Sequence, residues 1–174
     1  MRNIALFLTY EGTAYHGWQM QKNLPTVQET MEKAIAMVVG HPVHVTGCGR
    51  TDAGVHALAQ VANFQTNSQM TTEEMRKYMN QYLPEDIGVV EIEEVPLRFH
   101  SRLNVKRKTY CYRIWNSKIP NVFERKYSYY IPEELDVDSM EVRLPVLVKV
   151  PRSSAFAEAE ARRMPLMELP GREE

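Results

Sequence analysis

The sequence TVQETMEKAIAMVVG, residues 26–40, is typical of an amphipathic helix with a signal at each end. Thr26 is a good N-cap residue, and Glu29 follows three positions later, as in a capping box. Gly40 stands where a left-handed residue commonly ends a helix. Apolar residues recur along one face, at Val27, Met31, Ile35 and Val38. The stretch therefore predicts one helix that packs its apolar face into a core.

Strands are predicted on both sides of this helix, and a second helix follows them. The predicted strands are residues 4–10, 43–46, 60–66, 87–95 and 105–115, and the second helix is residues 72–83, ended by Pro84. The last strand would place Tyr110 and Tyr112 on one face. The order β-α-β-β-α-β plus one strand predicts an α+β, ferredoxin-like (split βαβ) fold. Its sheet would be mainly antiparallel, with the helices on one face.

Length and composition are those of a globular protein. The 174 residues are 44% hydrophobic and 25% charged, with a mean hydropathy of −0.42. We expect neither membrane insertion nor secretion, because no apolar run is long enough to span a bilayer and no cleavage site follows the N-terminus. Cys48 and Cys111 form neither a disulfide framework nor a tetrahedral metal set, so we expect reduced thiols and a cytoplasmic protein.

The net charge of −1 averages two unlike regions. Residues 101–126 contain eight basic residues against the single acid Glu124, a net charge of +7, so the remainder sums to −8. A basic segment of this kind binds phosphates where it faces a groove. The alternative is an exposed strand with solvated lysines.

The character of the chain changes after Met140. Residues 142–174 contain four prolines and one aromatic residue, Phe156, and no segment has a convincing apolar face. We expect a first domain over residues 1–139 and a divergent, poorly packed tail over residues 140–174. Such an abrupt change is what a shifted reading frame or a truncated gene would produce.

The segment GRTDAGVH, residues 49–56, places an arginine and an aspartate between two glycines. Glycine permits backbone angles that hold opposite charges close together and leave room for a ligand. Arg50 and Asp52 are therefore candidate site residues. The alternative is a structural turn, in which Asp52 accepts backbone N–H groups and Arg50 forms a surface ion pair. His56 is expected to be structural, because no nearby Ser, Cys or second acid completes a triad.

Other catalytic classes lack their signatures. No His-x-Glu motif is paired with Pro-Cys-x-x-Cys, which disfavours a zinc deaminase. No glycine-rich loop ends in Gly-Lys-Ser/Thr, so a nucleotide hydrolase is not supported.

Six segments occur in a recognisable order. They are YEGTAYHGWQ (residues 10–19), TVQE (26–29), GRTDAGVHA (49–57), NQYLP (80–84), FHSR (99–102) and KTYCY (108–112). Over residues 2–139 the chain resembles the TruA family of tRNA pseudouridine synthases. One match would be weak, but six in order are highly specific. The resemblance stops near Met140, so we expect the family's C-terminal half to be missing or replaced.

The resemblance implies an isomerase that converts uridine to pseudouridine in the anticodon stem-loop of tRNA, with no cofactor and no metal. Asp52 matches the family's essential aspartate, which either attacks C1′ of the ribose or removes a C2′ proton. Arg50 matches the arginine that fills the space left by the flipped base, and Tyr110 matches the tyrosine that stacks on that base.

The resemblance also implies a homodimer with tRNA as its partner. It gives the basic residues from Arg102 to Lys126 a role in binding phosphates. Two other functions remain open at this point. One is a non-catalytic RNA-binding module with a ferredoxin-like sheet. The other is an inactive, truncated synthase.

Overall fold

The computed structural model describes residues 1–136, which fall into two compact units. The first is Met1–Tyr112, and the second is Arg113–Glu174, described through residue 136. The predicted divergent tail, residues 140–174, lies outside the described residues. The predicted boundary at residue 139 stays a prediction.

The first unit has the element order β-α-β-β-α-β. Its elements are β1 (Arg2–Tyr10), α1 (Val27–Val39), β2 (Thr46–Gly47), β3 (Ala57–Thr66), α2 (Thr72–Tyr82) and β4 (Ile87–Val95). The strands form one sheet in the order β2-β3-β1-β4, and every neighbouring pair is antiparallel. In this arrangement β3 lies between β1 and β2, as a split βαβ unit requires. The predicted α+β, ferredoxin-like fold is confirmed.

Helix α1 has the boundaries that its sequence predicts. The Thr26 side chain accepts a hydrogen bond from the Glu29 backbone N–H at 3.4 Å. Gly40 adopts a left-handed conformation with φ of 79°, and its N–H donates to the Ala36 carbonyl at 3.0 Å. Both ends of the helix are therefore satisfied locally.

The core lies between the sheet and the two helices. The even-numbered side chains of β1 are buried in one cluster with the apolar faces of α1 and α2. The cluster includes Ile4, Leu6 and Leu8 from β1, Val27, Met31 and Ile35 from α1, and Met75 and Met79 from α2. Because successive side chains of a strand point to opposite faces, both helices lie on the same face of the sheet, as predicted.

The predicted strand at residues 43–46 is wrong in its bounds. Only Thr46 and Gly47 pair with β3, and the preceding residues run to α1 without strand pairing. The Val45 backbone N–H donates a hydrogen bond to the carboxylate of Glu32 in α1 at 2.9 Å. A helix side chain thus takes the hydrogen bond that a neighbouring strand would otherwise accept.

The predicted strand at residues 105–115 is also wrong. Residues 105–113 form no strand, and side chains predicted on its two faces are exposed. Tyr110 is 68% exposed and Tyr112 is 82% exposed. An alternating pattern specifies a strand where one of its faces is buried, and here the side chains of both faces are exposed.

In the second unit, β5 (Ile114–Asn116) and β6 (Tyr129–Ile131) pair in parallel. The side-chain amide of Asn116 donates to the Ile131 carbonyl at 2.9 Å, close to this pair. Across residues 1–136 no helix has both the length and the apolar character to cross a membrane.

Candidate active site

The loop between β2 and β3 carries Arg50 and Asp52, and it is tied to the loop that follows β1. Four hydrogen bonds join the two loops: Tyr10 Oη with Thr51 Oγ1 (2.9 Å), the Trp18 N–H to the Thr51 carbonyl (3.0 Å), the Gly54 N–H to the Tyr15 carbonyl (3.1 Å) and the Gly12 N–H to His56 Nδ1 (2.9 Å). Three of them involve backbone N–H groups, so the loop that carries Asp52 is held at both ends of its turn.

Glycines allow this close approach of the two loops. A Cβ at Gly12 would lie 2.1 Å from the Val55 carbonyl oxygen, and a Cβ at Gly17 would lie 2.3 Å from the Thr51 carbonyl oxygen. Gly17 also has a φ of +82°, which L side chains rarely adopt. Gly12 and Gly17 of the first loop therefore allow the second loop to approach it closely.

His56 has a structural role, as predicted. Its Nδ1 accepts the hydrogen bond from Gly12 and lies 3.5 Å from Glu11 Oε1. These two contacts with the first loop orient the end of the second loop.

Tyr10 and Tyr15 stay protonated under the two loops. Burial raises the pKa of the Tyr10 phenol above its ordinary value, and the hydrogen bond with Thr51 opposes this only in part. Burial raises the pKa of Tyr15 too, assisted by Asp86, whose carboxylate accepts a 2.6 Å hydrogen bond from the phenol. Both phenols therefore act as fixed hydrogen-bonding groups at neutral pH.

Asp52 is exposed at the turn of its loop. Among residues 1–136 its carboxylate forms no hydrogen bond or ion pair, although its backbone carbonyl accepts the Val55 N–H at 3.2 Å. The alternative interpretation, a carboxylate that accepts backbone N–H groups of its own turn, is thus not what this loop contains. The backbone is fixed while the carboxylate stays open to a ligand.

Arg50 is exposed and oriented by a chain of amides that leads to α1. Its Nε donates to Gln19 Oε1 at 3.1 Å, and the Gln19 amide donates to Gln28 Oε1 at 2.9 Å. Gln28 is 3% exposed and donates to the Val45 carbonyl and to Glu32, each at 3.1 Å. No ion pair of Arg50 exists within the described residues, so the alternative of a surface ion pair does not hold either.

Tyr110 lies in the segment that follows Lys108. The Lys108 Nζ is 2.8 Å from the position that a Cβ would occupy on Gly49, so the lysine lies against the start of the Arg50 and Asp52 loop. Tyr110 is two residues further on and 68% exposed. Within residues 1–136 no hydrogen bond or ring contact joins Tyr110 to Asp52. Arg50 and Asp52 are both exposed on one loop, and the Tyr110 ring is open to solvent.

A cleft of about 260 Å³ opens beside Arg50. Its lining includes Gln19 and Gln28 from one side, Thr46 and Gly47 from β2, and His100 and Arg102 from the loop after β4. Sequence reasoning missed Gln19, Gln28 and His100 as parts of one site, because they come together only through packing. The signal that could have pointed to this site is Gln28, a glutamine in the first turn of an amphipathic helix, which the structure buries.

In the described part of the chain, no three His, Cys, Asp or Glu side chains are grouped so that they could hold a metal ion. The chemistry that the loop offers is that of one exposed, unpartnered carboxylate, two residues from an exposed arginine.

Comparison with known proteins assigns the family. The family model described as tRNA pseudouridine synthase matches residues 7–104. A Bacillus cereus protein named tRNA pseudouridine synthase A 2 is 44% identical over 164 residues, which cover 94% of this chain and 67% of that protein. An Acetivibrio thermocellus protein named tRNA pseudouridine synthase A is 47% identical over 141 residues, which cover 81% of this chain and 58% of that protein.

The chain spans about two thirds of the length of the Bacillus cereus relative. Because 94% of the chain is aligned with that protein, the alignment extends past Met140 into the predicted tail. The family model covers more than half of the chain and includes both loops described above. The resemblance seen in six ordered segments is confirmed, and the chain belongs to the tRNA pseudouridine synthase family.

Proposed function

We propose that this chain isomerises uridine to pseudouridine in tRNA, with Asp52 as the catalytic carboxylate. The observation that carries the proposal is the exposure of that side chain and its lack of hydrogen-bond or ion-pair partners among the described residues. Asp52 is exposed and unpartnered among the described residues, on a backbone held by hydrogen bonds to the neighbouring loop. A carboxylate left open on a fixed backbone is ready to act on a substrate. Family membership supports uridine as that substrate.

The reaction breaks the N1–C1′ bond of the nucleotide and forms a C5–C1′ bond. The proton on C5 leaves and N1 of the reattached base carries a proton, so atoms balance without a cofactor. Asp52 either forms a covalent bond with C1′ as N1 leaves or removes a proton from C2′. Both routes need an ionised carboxylate within reach of the ribose, which the exposure of Asp52 allows.

A uridine within a stem must leave the helix before it reaches Asp52, at a cost of a few kcal/mol in lost stacking and pairing. We assign Arg50 to the space that the base vacates. Its guanidinium is exposed two residues from Asp52 and is oriented through Gln19. The amide chain to α1 fixes the direction of the arginine before RNA binds, which lowers the entropy lost on binding.

We assign Tyr110 to the flipped base. Its ring is 68% exposed, so a face is free for a planar ligand. Stacking of a base on such a ring contributes about 1–3 kcal/mol. The contact of Lys108 with Gly49 places the segment that carries this tyrosine near the Asp52 loop.

Three finer points of the proposal follow from the resemblance. The substrate site is in the anticodon stem-loop, the active form is a homodimer, and the protein works in the cytoplasm. The net charge of +7 over residues 101–126 supports an RNA partner. Light scattering of the purified protein measures the oligomeric state directly.

The test of the proposed function is Asp52→Asn. This change keeps the shape of the side chain and removes its charge. We expect pseudouridine formation to fall by at least about 10²-fold, the usual effect of losing one acid–base group. Binding of the RNA stays within about twofold of wild type, or tightens, because a negative charge near phosphates is removed. Release of tritium from C5 of labelled uridine in a tRNA transcript measures turnover.

The matched control is Glu85→Gln, which removes one exposed carboxylate that makes no contact within residues 1–136. It should leave turnover and binding unchanged. Turnover retained by Asp52→Asn would refute the catalytic assignment. RNA binding by wild type with no turnover would favour the non-catalytic RNA-binding module.

A further inference from the structure

The cleft beside Arg50 is lined by positive charge. Arg50 and Arg102 both line it, and no Asp or Glu is among its lining residues in the described part of the chain. His44 and His100 line it as well, but His44 lies 3.1 Å from the Glu32 carboxylate, which offsets its charge when protonated. Arg50 and Arg102 therefore supply the positive charge of the cleft.

The wall that carries Arg102 is fixed by a buried polar network. Ser101 is 3% exposed; its N–H donates to Asn63 Oδ1 at 2.9 Å, and its hydroxyl donates to the Thr46 carbonyl at 2.6 Å. The Asn63 amide in turn donates to Asn3 Oδ1 at 2.9 Å. The loop after β4 is thus joined to β1 and β3 through buried residues and to β2 through the half-buried Thr46. Buried polar groups with every partner in place hold one conformation.

Arg102 itself is left open by this arrangement. Its backbone N–H donates to His100 Nδ1 at 3.3 Å, while its guanidinium forms no hydrogen bond or ion pair among residues 1–136. The lining also includes Gln19, Gln28 and Arg50, which are joined by the chain of amides described above. The cleft therefore offers an anion the unpaired guanidinium of Arg102, on a backbone held by Ser101, next to an arginine whose direction Gln19 already fixes.

We propose that this cleft binds one backbone phosphodiester of the RNA strand, next to the nucleotide that is flipped toward Asp52. The inference rests on the proposed function and names a phosphate subsite for it. A guanidinium presents paired N–H donors that match the oxygens of a phosphate. Contacts with phosphates set the register of a nucleic acid on a protein.

The short spacing of Arg50 and Asp52 in the protein limits which RNA phosphate can occupy the cleft. Arg50 and Asp52 are two residues apart, so their Cα atoms are separated by at most about 7.6 Å. We infer that an RNA strand with its ribose at Asp52 has one of the two phosphates adjacent to that ribose within reach of the cleft beside Arg50. A phosphate held there fixes the ribose while the base is moved.

The experiment is a binding cycle that combines Arg102→Gln with single neutral phosphates in the RNA. Stem-loop RNAs of one sequence carry a methylphosphonate at one position each, around the target uridine. Asp52→Asn protein is used throughout, so that the RNA is not converted during the measurement. We expect one methylphosphonate to weaken binding by about tenfold, the effect of one charge-assisted hydrogen bond. The same RNA should lose little further affinity with Arg102→Gln.

The matched control is Arg98→Gln, which removes an exposed arginine four residues away that does not line the cleft. Its effect on the binding free energy should simply add to the effect of each methylphosphonate, as expected for an arginine that does not contact the phosphate. Arg102→Lys keeps the charge without the paired donors and should retain part of the affinity and of the coupling. Circular dichroism establishes that each variant is folded.

Three results would overturn the proposal. One is that the losses of binding free energy caused by Arg102→Gln and by Arg102→Lys simply add to the loss caused by each methylphosphonate, at every position. Another is binding of inorganic phosphate or uridine monophosphate by the free protein in calorimetry, with no coupling to any RNA position, which would make the cleft a site for free phosphates. The third is absence of RNA binding by wild type. A chain that shows the coupling but forms no pseudouridine contradicts the proposed function and leaves the phosphate subsite standing.

Discussion

Gly17 controls the position of Asp52 from outside the loop that carries it. Its φ of +82° disfavours any other residue by about 1–2 kcal/mol, and a Cβ there would lie 2.3 Å from the Thr51 carbonyl oxygen. We expect Gly17→Ala to destabilise the protein by about 2–5 kcal/mol, since overpacking costs about 1–3 kcal/mol in addition. Turnover of the folded variant should fall by about tenfold or more, because a displacement of about 1 Å has such an effect on catalysis. Urea unfolding and tritium release measure the two effects.

Gly40 supplies the matched control at the end of α1. Its φ of +79° is nearly the same, but no atom lies within 4 Å of the position of a Cβ. Gly40→Ala should therefore cost only the backbone term, about 1–2 kcal/mol, and leave turnover unchanged. Equal stability losses in the two variants would contradict the close approach of the two loops.

At the scale of elements, the sequence predicts what is locally determined. Helix α1 carries its caps within a few residues, and its start is predicted from Thr26 for this reason. The start of α2 is predicted from the helical spacing of its apolar residues, and the structure adds the Thr71 cap. Strand pairing depends on partners that are distant in the sequence. Residues 43–46 have the composition of a strand, but the Val45 N–H donates to Glu32 instead of to a neighbouring strand. The candidate loop at Arg50 and Asp52 is visible as a motif. The amide chain through Gln28 and the Ser101 network are not visible, because they form across 9 to 55 residues of sequence.

Helix α2 begins with a reciprocal capping box. The Thr71 hydroxyl accepts the Glu74 N–H at 3.2 Å, and the Glu74 carboxylate accepts the Thr71 N–H at 2.9 Å. We expect Thr71→Ala to lower the free energy of unfolding by about 1 kcal/mol, the usual contribution of such a cap. Chemical denaturation at neutral pH measures it. An unchanged midpoint would show that the box contributes nothing in solution.

The pH dependence of Glu74→Gln tests the same cap independently. Hydrogen bonds from the Thr71 side chain and backbone lower the pKa of Glu74 below its ordinary value of 4.5. A lowered folded-state pKa stabilises the protein above pH 4.5, and the contribution is lost as the pH falls through the lowered pKa. The difference in stability between wild type and Glu74→Gln should therefore be present at neutral pH and shrink under acid. Glu73→Gln, also in the first turn but outside the box, should show a smaller difference.

At the scale of the whole molecule, the hydrophobic core is confined to one unit. Every buried apolar side chain of the described residues falls between Ile4 and Ile92, inside Met1–Tyr112. A unit of this size can bury enough surface to fold alone. The buried network of Ser101 also lies within it. The stability of the first unit should therefore depend little on residues 113–174.

Shortening the chain to residues 1–112 tests this independence. We expect cooperative thermal unfolding with a midpoint within about 5 °C of the full chain, which corresponds to about 1 kcal/mol for a domain of this size. The matched comparison is a chain of residues 1–95, which keeps the apolar core but removes Ser101 from Asn63 and Thr46. Its midpoint should be clearly lower, because those buried polar groups lose their partners at about 1–3 kcal/mol each. Circular dichroism distinguishes the two chains, and a broad, non-cooperative transition for residues 1–112 would mean that the first unit requires the second.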